Sequence, residues 1–173
     1  MRVFIAINFP EEIREEIKKI QESLPDFVGK KTETENLHLT FKFLGDVEES
    51  DLSAIKERLK KVNERVFTAE INSTGMFSKE FIKIVWLHLS NCEALQIGID
   101  ESLSDMFPKE KRFMSHVTIA RIKKIPDRDS FLKKIEILKT KKLSFPVESF
   151  SLMKSELTSS GPIYSIVEEY KLK

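Results

Sequence analysis

The chain has 173 residues, 40% of them hydrophobic and 33% charged, the profile of an ordinary soluble globular protein of one domain, or two small lobes sharing a core. Its 29 Lys and Arg against 28 Asp and Glu leave a formal charge of +1, so no global field recruits a polyanion and any nucleic-acid contact must come from a local basic surface. One cysteine, Cys92, excludes an internal disulfide framework or a multi-thiolate metal site, and no apolar stretch approaches the roughly eighteen residues of a membrane span. The first ten residues lack the flanks of a signal peptide, so a cytoplasmic protein is expected.

In chain order the hydrophobic period switches repeatedly between 2 and 3.6, with no linker long or polar enough to separate independent domains. Residues 2–9 alternate as a strand, and Pro10 opens a helix carrying Ile13, Ile17, Ile20 and Leu24 before Pro25 stops it. Residues 35–45 form a second strand, with Asp46 and Ser50 as capping candidates for a helix bearing Leu52, Ile55, Leu59 and Val62. Residues 67–77 and 81–89 read as paired strands, and 94–107 as a helix ended by Pro108. Residues 112–122 form another strand and 129–138 a short helix; two closing strands over 143–154 and 163–172 flank residues 158–162. The pattern predicts an α+β fold with mostly antiparallel pairing, residues 1–173 forming one bilobal domain.

Two of the three histidines share one tetrapeptide frame, His38-Leu39-Thr40-Phe41 and His116-Val117-Thr118-Ile119, each inside a predicted strand. Side chains on a strand alternate faces, so each histidine shares a face with the threonine two residues on, while the apolar residues point the other way. The frames start 78 residues apart and each is followed by a helix, which predicts two similar lobes about an approximate two-fold with the cleft between them. Either histidine alone would read as a strand residue hydrogen-bonded for structure; the repeat is what argues for chemistry. Imidazole, with an unperturbed pKa of about 6.5, lets one copy be neutral and the other protonated near neutral pH. Two such groups can run an in-line displacement at phosphorus, one deprotonating water and the other protonating the departing oxygen, with threonine hydroxyls donating to non-bridging oxygens. No metal or cofactor is called for.

The residues resemble those of the two-histidine phosphoesterases, and within them the RNA 2′,3′-cyclic phosphodiesterases also called 2′-5′ RNA ligases. Residues 2–7 resemble the opening strand, 36–45 the first motif, 84–87 the middle strand, 115–121 the second motif, and 150–155 with 161–164 the closing hairpin. These segments stand in family order over nearly the full length. The resemblance implies a bilobal α+β fold and hydrolysis of a terminal 2′,3′-cyclic phosphate on RNA, tRNA fragments among the substrates, to a 2′-phosphate. It also implies reversal that joins ends through a 2′-5′ linkage. It makes His38 the proton donor to the leaving 3′ oxygen, His116 the acceptor that activates water, and Thr40 and Thr118 the phosphate holders. No membrane association or obligate protein partner is implied.

Departures are small: Ser115 stands where many members have proline, and His88 where a small residue is common. His88, in an apolar strand, reads as structural, and Cys92 as an unreactive small residue. By period-2 counting Lys42 shares the face of His38 and Thr40 and could reach a phosphate. Arg121 belongs to the second motif, yet alternation places it opposite His116; only a bulge or the strand end could turn it toward the cleft, so it enters as a substrate contact by resemblance. Phe41, with Leu39 and Phe43, reads as core, and Tyr164 as a residue that stacks on a base or packs. Lys109, Lys111 and Arg112 form a basic cluster at the expected rim of the cleft. Alternative readings are a cyclic nucleotide or oligonucleotide end of another kind, a non-catalytic module that only holds an RNA terminal phosphate, and a metal site. The second does not require two titratable groups, and the third lacks ligands in the motifs.

Overall fold

In a computed structural model, residues 1–138, 142–159 and 161–173 are described. The elements run β1 (Arg2–Asn8), α1 (Glu11–Glu22), β2 (Val28–Lys31), a 3-10 turn (Thr34–Asn36), β3 (His38–Asp46), α2 (Glu49–Leu59), β4 (Phe67–Met76), β5 (Ile84–Ser90), α3 (Glu93–Ser102), β6 (His116–Lys124), α4 (Arg128–Ile137), β7 (Leu143–Val147), β8 (Ser149–Thr158) and β9 (Gly161–Lys171). The strands form two sheets, ordered β3-β1-β8-β9 and β2-β6-β5-β4-β7, and every pairing is antiparallel. The α+β, two-lobed architecture expected from the sequence is therefore present. Among the described residues no helix is long and apolar enough to cross a membrane.

Local chemistry explains most of the elements. Pro10, at φ −55°, is the N-cap of α1, where a missing N–H costs nothing, and Glu11 and Glu12 sit at the positive end of the helix. The helix buries Ile13, Ile17 and Gln21. Helix α4 is capped by Asp127, whose carboxylate accepts from the Ser130 N–H at 3.0 Å. Helix α2 is not capped by Asp46 or Ser50: its N-cap is Glu48, which makes no side-chain cap bond, while Asp46 closes β3 and Ser50 is inside the helix. The predicted helix over 94–107 leaves the α conformation after Ser102, and Phe107 N–H closes the following turn on the Leu103 carbonyl at 2.9 Å. The predicted strand over 143–154 is two strands: the chain breaks at Glu148, so β7 joins one sheet and β8 the other. Strand β2, four exposed residues with no alternation to betray them, was not expected; it forms the edge of its sheet against β6. Within the expected connection over 158–162, Ser160 lies outside the described residues.

The two lobes repeat one another in register. Strand β1 pairs with β3 through Asn8↔His38, Ala6↔Thr40 and Ile5↔Lys42; β5 pairs with β6 through His88↔His116, Trp86↔Thr118 and Val85↔Ala120. In each pair the histidine strand carries one extra residue, Phe41 or Ile119, a β-bulge at the same place in the frame. The helices then cross over: α1 leaves β1 and packs against β6, while α3 leaves β5 and packs against β3. One continuous cluster of buried apolar residues, including Ile5 and Leu39 from one sheet and Val85 and Val117 from the other, lies between the sheets and these helices.

Candidate active site

Strands β3 and β6 present His38, Thr40, His116 and Thr118 to one cavity of about 580 Å3, and among the described residues no Asp or Glu lines it. The expected pairing of the two frames is thus realised. The flanking Leu39, Phe41, Val117 and Ile119 are buried on the opposite face. Each imidazole is held in the same way: His38 Nδ1 lies 2.7 Å from the Asn36 carbonyl and His116 Nδ1 lies 2.7 Å from the Met114 carbonyl. A carbonyl oxygen only accepts, so each Nδ1 carries the proton and each Nε2 is left to the cleft. Ring contacts complete the support: Phe4 and Tyr164 each lie 5.0 Å from His38, Tyr164 edge-on, and Phe77 lies 5.1 Å from His116, also edge-on.

Burial lowers the pKa of His38, against the raising effect of the Asn36 carbonyl; the positive charges of Arg121 and His116 lower it further. Burial likewise raises the Tyr164 phenol, which Arg121 and Arg2 partly counter. Arg2 and Arg121 are thus the basic residues that line a cleft whose walls are otherwise largely apolar.

The bulges overturn the strict period-2 count. Beyond Phe41 the faces of β3 exchange, so Lys42 does not join His38 and Thr40: it is buried, 4% exposed, and its ammonium bonds to Asp100 and the Pro108 carbonyl. The same exchange expels Phe43 from the expected core; it is 75% exposed and lines the cleft. Beyond Ile119 the equivalent exchange turns Arg121 into the cleft, the one route by which it could reach it. Phe43 and Arg121 thus occupy matching positions in the two lobes, facing Phe4 and Ile84 respectively across their strand pairs. Tyr164 lines the cavity against His38.

Of the other candidates, Lys109, Lys111 and Arg112 are exposed and do not line the cleft. His88 pairs across the strands with His116 but its Nδ1 lies 3.0 Å from Asn72 Oδ1, and it too is outside the lining. Cys92 is buried, and burial pushes its thiol up to about 11, so no thiolate is available at neutral pH. Among the described residues no three His, Cys, Asp or Glu side chains are grouped as metal ligands. Arg2, Phe4 and Leu157 also line the cleft and were not singled out by the sequence. Arg2 and Phe4 share a face with Ala6 on β1, a signal the alternation did carry.

A family model described as LigT-like phosphoesterase matches residues 7–86 and 90–164. The RNA 2′,3′-cyclic phosphodiesterase of Methanocaldococcus jannaschii is 36% identical to this chain, covering 98% of it and 100% of the relative. That of Methanothermobacter thermautotrophicus is 34% identical, covering 99% of each chain. Among solved structures, the protein TT0787 of Thermus thermophilus matches with a TM-score of 0.76 at 29% identity, covering 99% of this chain and 97% of that one. Escherichia coli LigT complexed with 3′-AMP has a TM-score of 0.79 at 22% identity and shares the fold, covering 99% and 98%. With both histidine frames inside the matched segments, the chain belongs to the LigT-like phosphoesterase family.

Proposed function

We propose that this chain is an RNA 2′,3′-cyclic phosphodiesterase that opens a terminal cyclic phosphate to a 2′-phosphate. The observation that carries the reading is the matched pair of imidazoles, each with Nδ1 committed to a backbone carbonyl and Nε2 facing a cleft that no carboxylate lines among the described residues. Neutral His116 Nε2 takes a proton from water as the water oxygen bonds to phosphorus. The bond from phosphorus to O3′ breaks in line, and O3′ receives the proton carried by His38 Nε2. Thr40 and Thr118 donate to the non-bridging oxygens, and Arg121 offsets the charge that builds there.

The broken symmetry between the lobes supports these roles. Phe43 and Phe4 make the wall beside His38 apolar, whereas the matching position on the His116 strand is Arg121, whose charge reaches across the cleft to His38. A nucleoside packs against the apolar wall, which sets its ribose oxygen beside His38 and leaves the far side of phosphorus to water and His116. In the free protein burial holds His38 neutral, and the phosphate's negative charge raises its proton affinity as substrate enters. With a 5′-hydroxyl in place of water, His116 Nε2 takes the hydroxyl proton as O5′ bonds to phosphorus and O3′ leaves with the proton from His38, which joins the two ends through a 2′-5′ linkage. We take residues 1–173 to form one bilobal domain acting in the cytoplasm on RNA fragments, those of tRNA among them, without an obligate protein partner.

The test is a short RNA ending in a 2′,3′-cyclic phosphate, incubated with protein in EDTA, with the product end identified. Wild type should yield a 2′-phosphate, while His38→Ala and His116→Ala fold normally and each lose at least about 100-fold in rate. A cyclic end that survives intact would remove RNA ends from the reading, and a variant that keeps most of the rate would remove the two-histidine mechanism.

A further inference from the structure

The two bulges that reorient Phe43 and Arg121 also reach the segments that lead into the histidines, and they do so crosswise. In β3 the Phe41 ring stacks on Phe113, with centroids 5.9 Å apart and planes at 22°. The neighbouring Lys42 ammonium donates to Asp100 on α3 and, at 2.6 Å, to the Pro108 carbonyl. Asp100 also accepts from Gln96 at 2.7 Å and from the Glu110 N–H at 2.8 Å. Burial would raise its carboxyl, but these donors hold it below the usual carboxylate range. Pro108, Glu110 and Phe113 belong to the segment ending at Met114, the residue whose carbonyl holds His116.

The other lobe mirrors the arrangement with different chemistry. The carbonyl of the bulged Ile119 in β6 accepts from Gln21 Nε2 at 2.8 Å and from the Thr32 N–H at 3.0 Å. Gln21 Nε2 also donates to the Thr32 carbonyl at 2.8 Å. Thr32 leads through the 3-10 turn to Asn36, whose carbonyl holds His38. Each catalytic strand therefore anchors the approach to the opposite imidazole.

A buried ion pair contributes little stability over apolar residues of similar size, so stability alone gives no reason for a lysine at position 42. We propose that Lys42 and Gln21 are positioning residues: Lys42 on β3 fixes the orientation of His116 through residues 108–114, and Gln21 on α1 fixes that of His38 through residues 32–36. The inference rests on the two-histidine reading of the cleft and adds how the two rings are kept in mutual register.

The variant Lys42→Met/Asp100→Leu replaces the pair with apolar side chains and should unfold close to the wild-type temperature. Its kcat on the cyclic-phosphate RNA should nonetheless fall on the order of ten- to a hundred-fold with KM nearly unchanged. Long-range 1H–15N correlation of the imidazoles should show His116 losing its single Nδ1–H tautomer while His38 keeps it. Gln21→Met should do the reverse, and Phe113→Leu gives a second His116 arm that leaves the buried pair intact. Single tautomers on both rings in all three variants, loss of the His38 tautomer in the Lys42/Asp100 or Phe113 variant, or loss of the His116 tautomer in the Gln21 variant would overturn the proposal. The spectra need no substrate, so they decide the brace separately from whether wild type opens a cyclic phosphate.

Discussion

His38 and His116 each commit one ring nitrogen to a backbone carbonyl, and the proton chemistry then depends on what surrounds the other. At His38 burial, then the charges of Arg121 and His116, depress the pKa. The sign of the linked stability follows. Below about pH 6.5 an unfolded imidazole takes up a proton that native His38 resists, so its neutral form supports the fold above that pH and the support is lost as pH falls toward the depressed native value. Thermal unfolding followed from about pH 8 to 5 should show a steeper acid decline for wild type than for His38→Asn; equal slopes would contradict the depressed pKa. Activity adds a separate expectation. The proposed mechanism requires one ring neutral and the other charged, so kcat/KM should follow a bell, and a rate flat from about pH 5 to 9 would refute the pairing.

Strands β3 and β6 carry the same burial sequence for their first seven residues, which makes the bulge, and not the individual side chain, the unit that was duplicated. The element boundaries around them were legible because Pro10, Pro25, Pro108 and the apolar periods are local signals. The bulges were not, since they arise where β1 and β5 skip a partner, between Ile5 and Ala6 and between Val85 and Trp86. That skip alone accounts for the misplacement of Lys42 and Phe43 and supplies the bulge that Arg121 needed to enter the cleft, whereas His38, Thr40, His116 and Thr118 precede it and fall where alternation puts them. A consequence can be measured at Phe43. Being 75% exposed, it contributes little to stability, so Phe43→Ala should unfold within about 0.5 kcal/mol of wild type. It should raise KM for nucleoside 2′,3′-cyclic phosphates by about ten-fold, as expected for loss of a stacking face worth ~1–3 kcal/mol. A ribose 2,3-cyclic phosphate without a base should not register the change; equal effects on both substrates would remove the base from this wall.

At the scale of the whole molecule the two lobes look alike but are threaded differently. The sheet containing β4, β5 and β6 draws all its strands from residues 28–147, whereas β1 and β3 must wait for β8 and β9, drawn from residues 149–171. Strand β1 lies between β3 and β8, so until β8 arrives the first lobe has two of its four strands, packed on α3 but with the hydrogen-bonding edge of β1 open. A chain truncated after Val147 should accordingly be cut by protease within β1 and β3 while β5 and β6 resist; equal resistance would show that the first lobe stands without its closing hairpin. During synthesis, then, the half-cleft bearing His116 can mature on the ribosome while its counterpart stays unformed. A partly made copy holds His116 in place before His38 is fixed opposite it, so the cleft is complete only once β8 and β9 have left the exit tunnel.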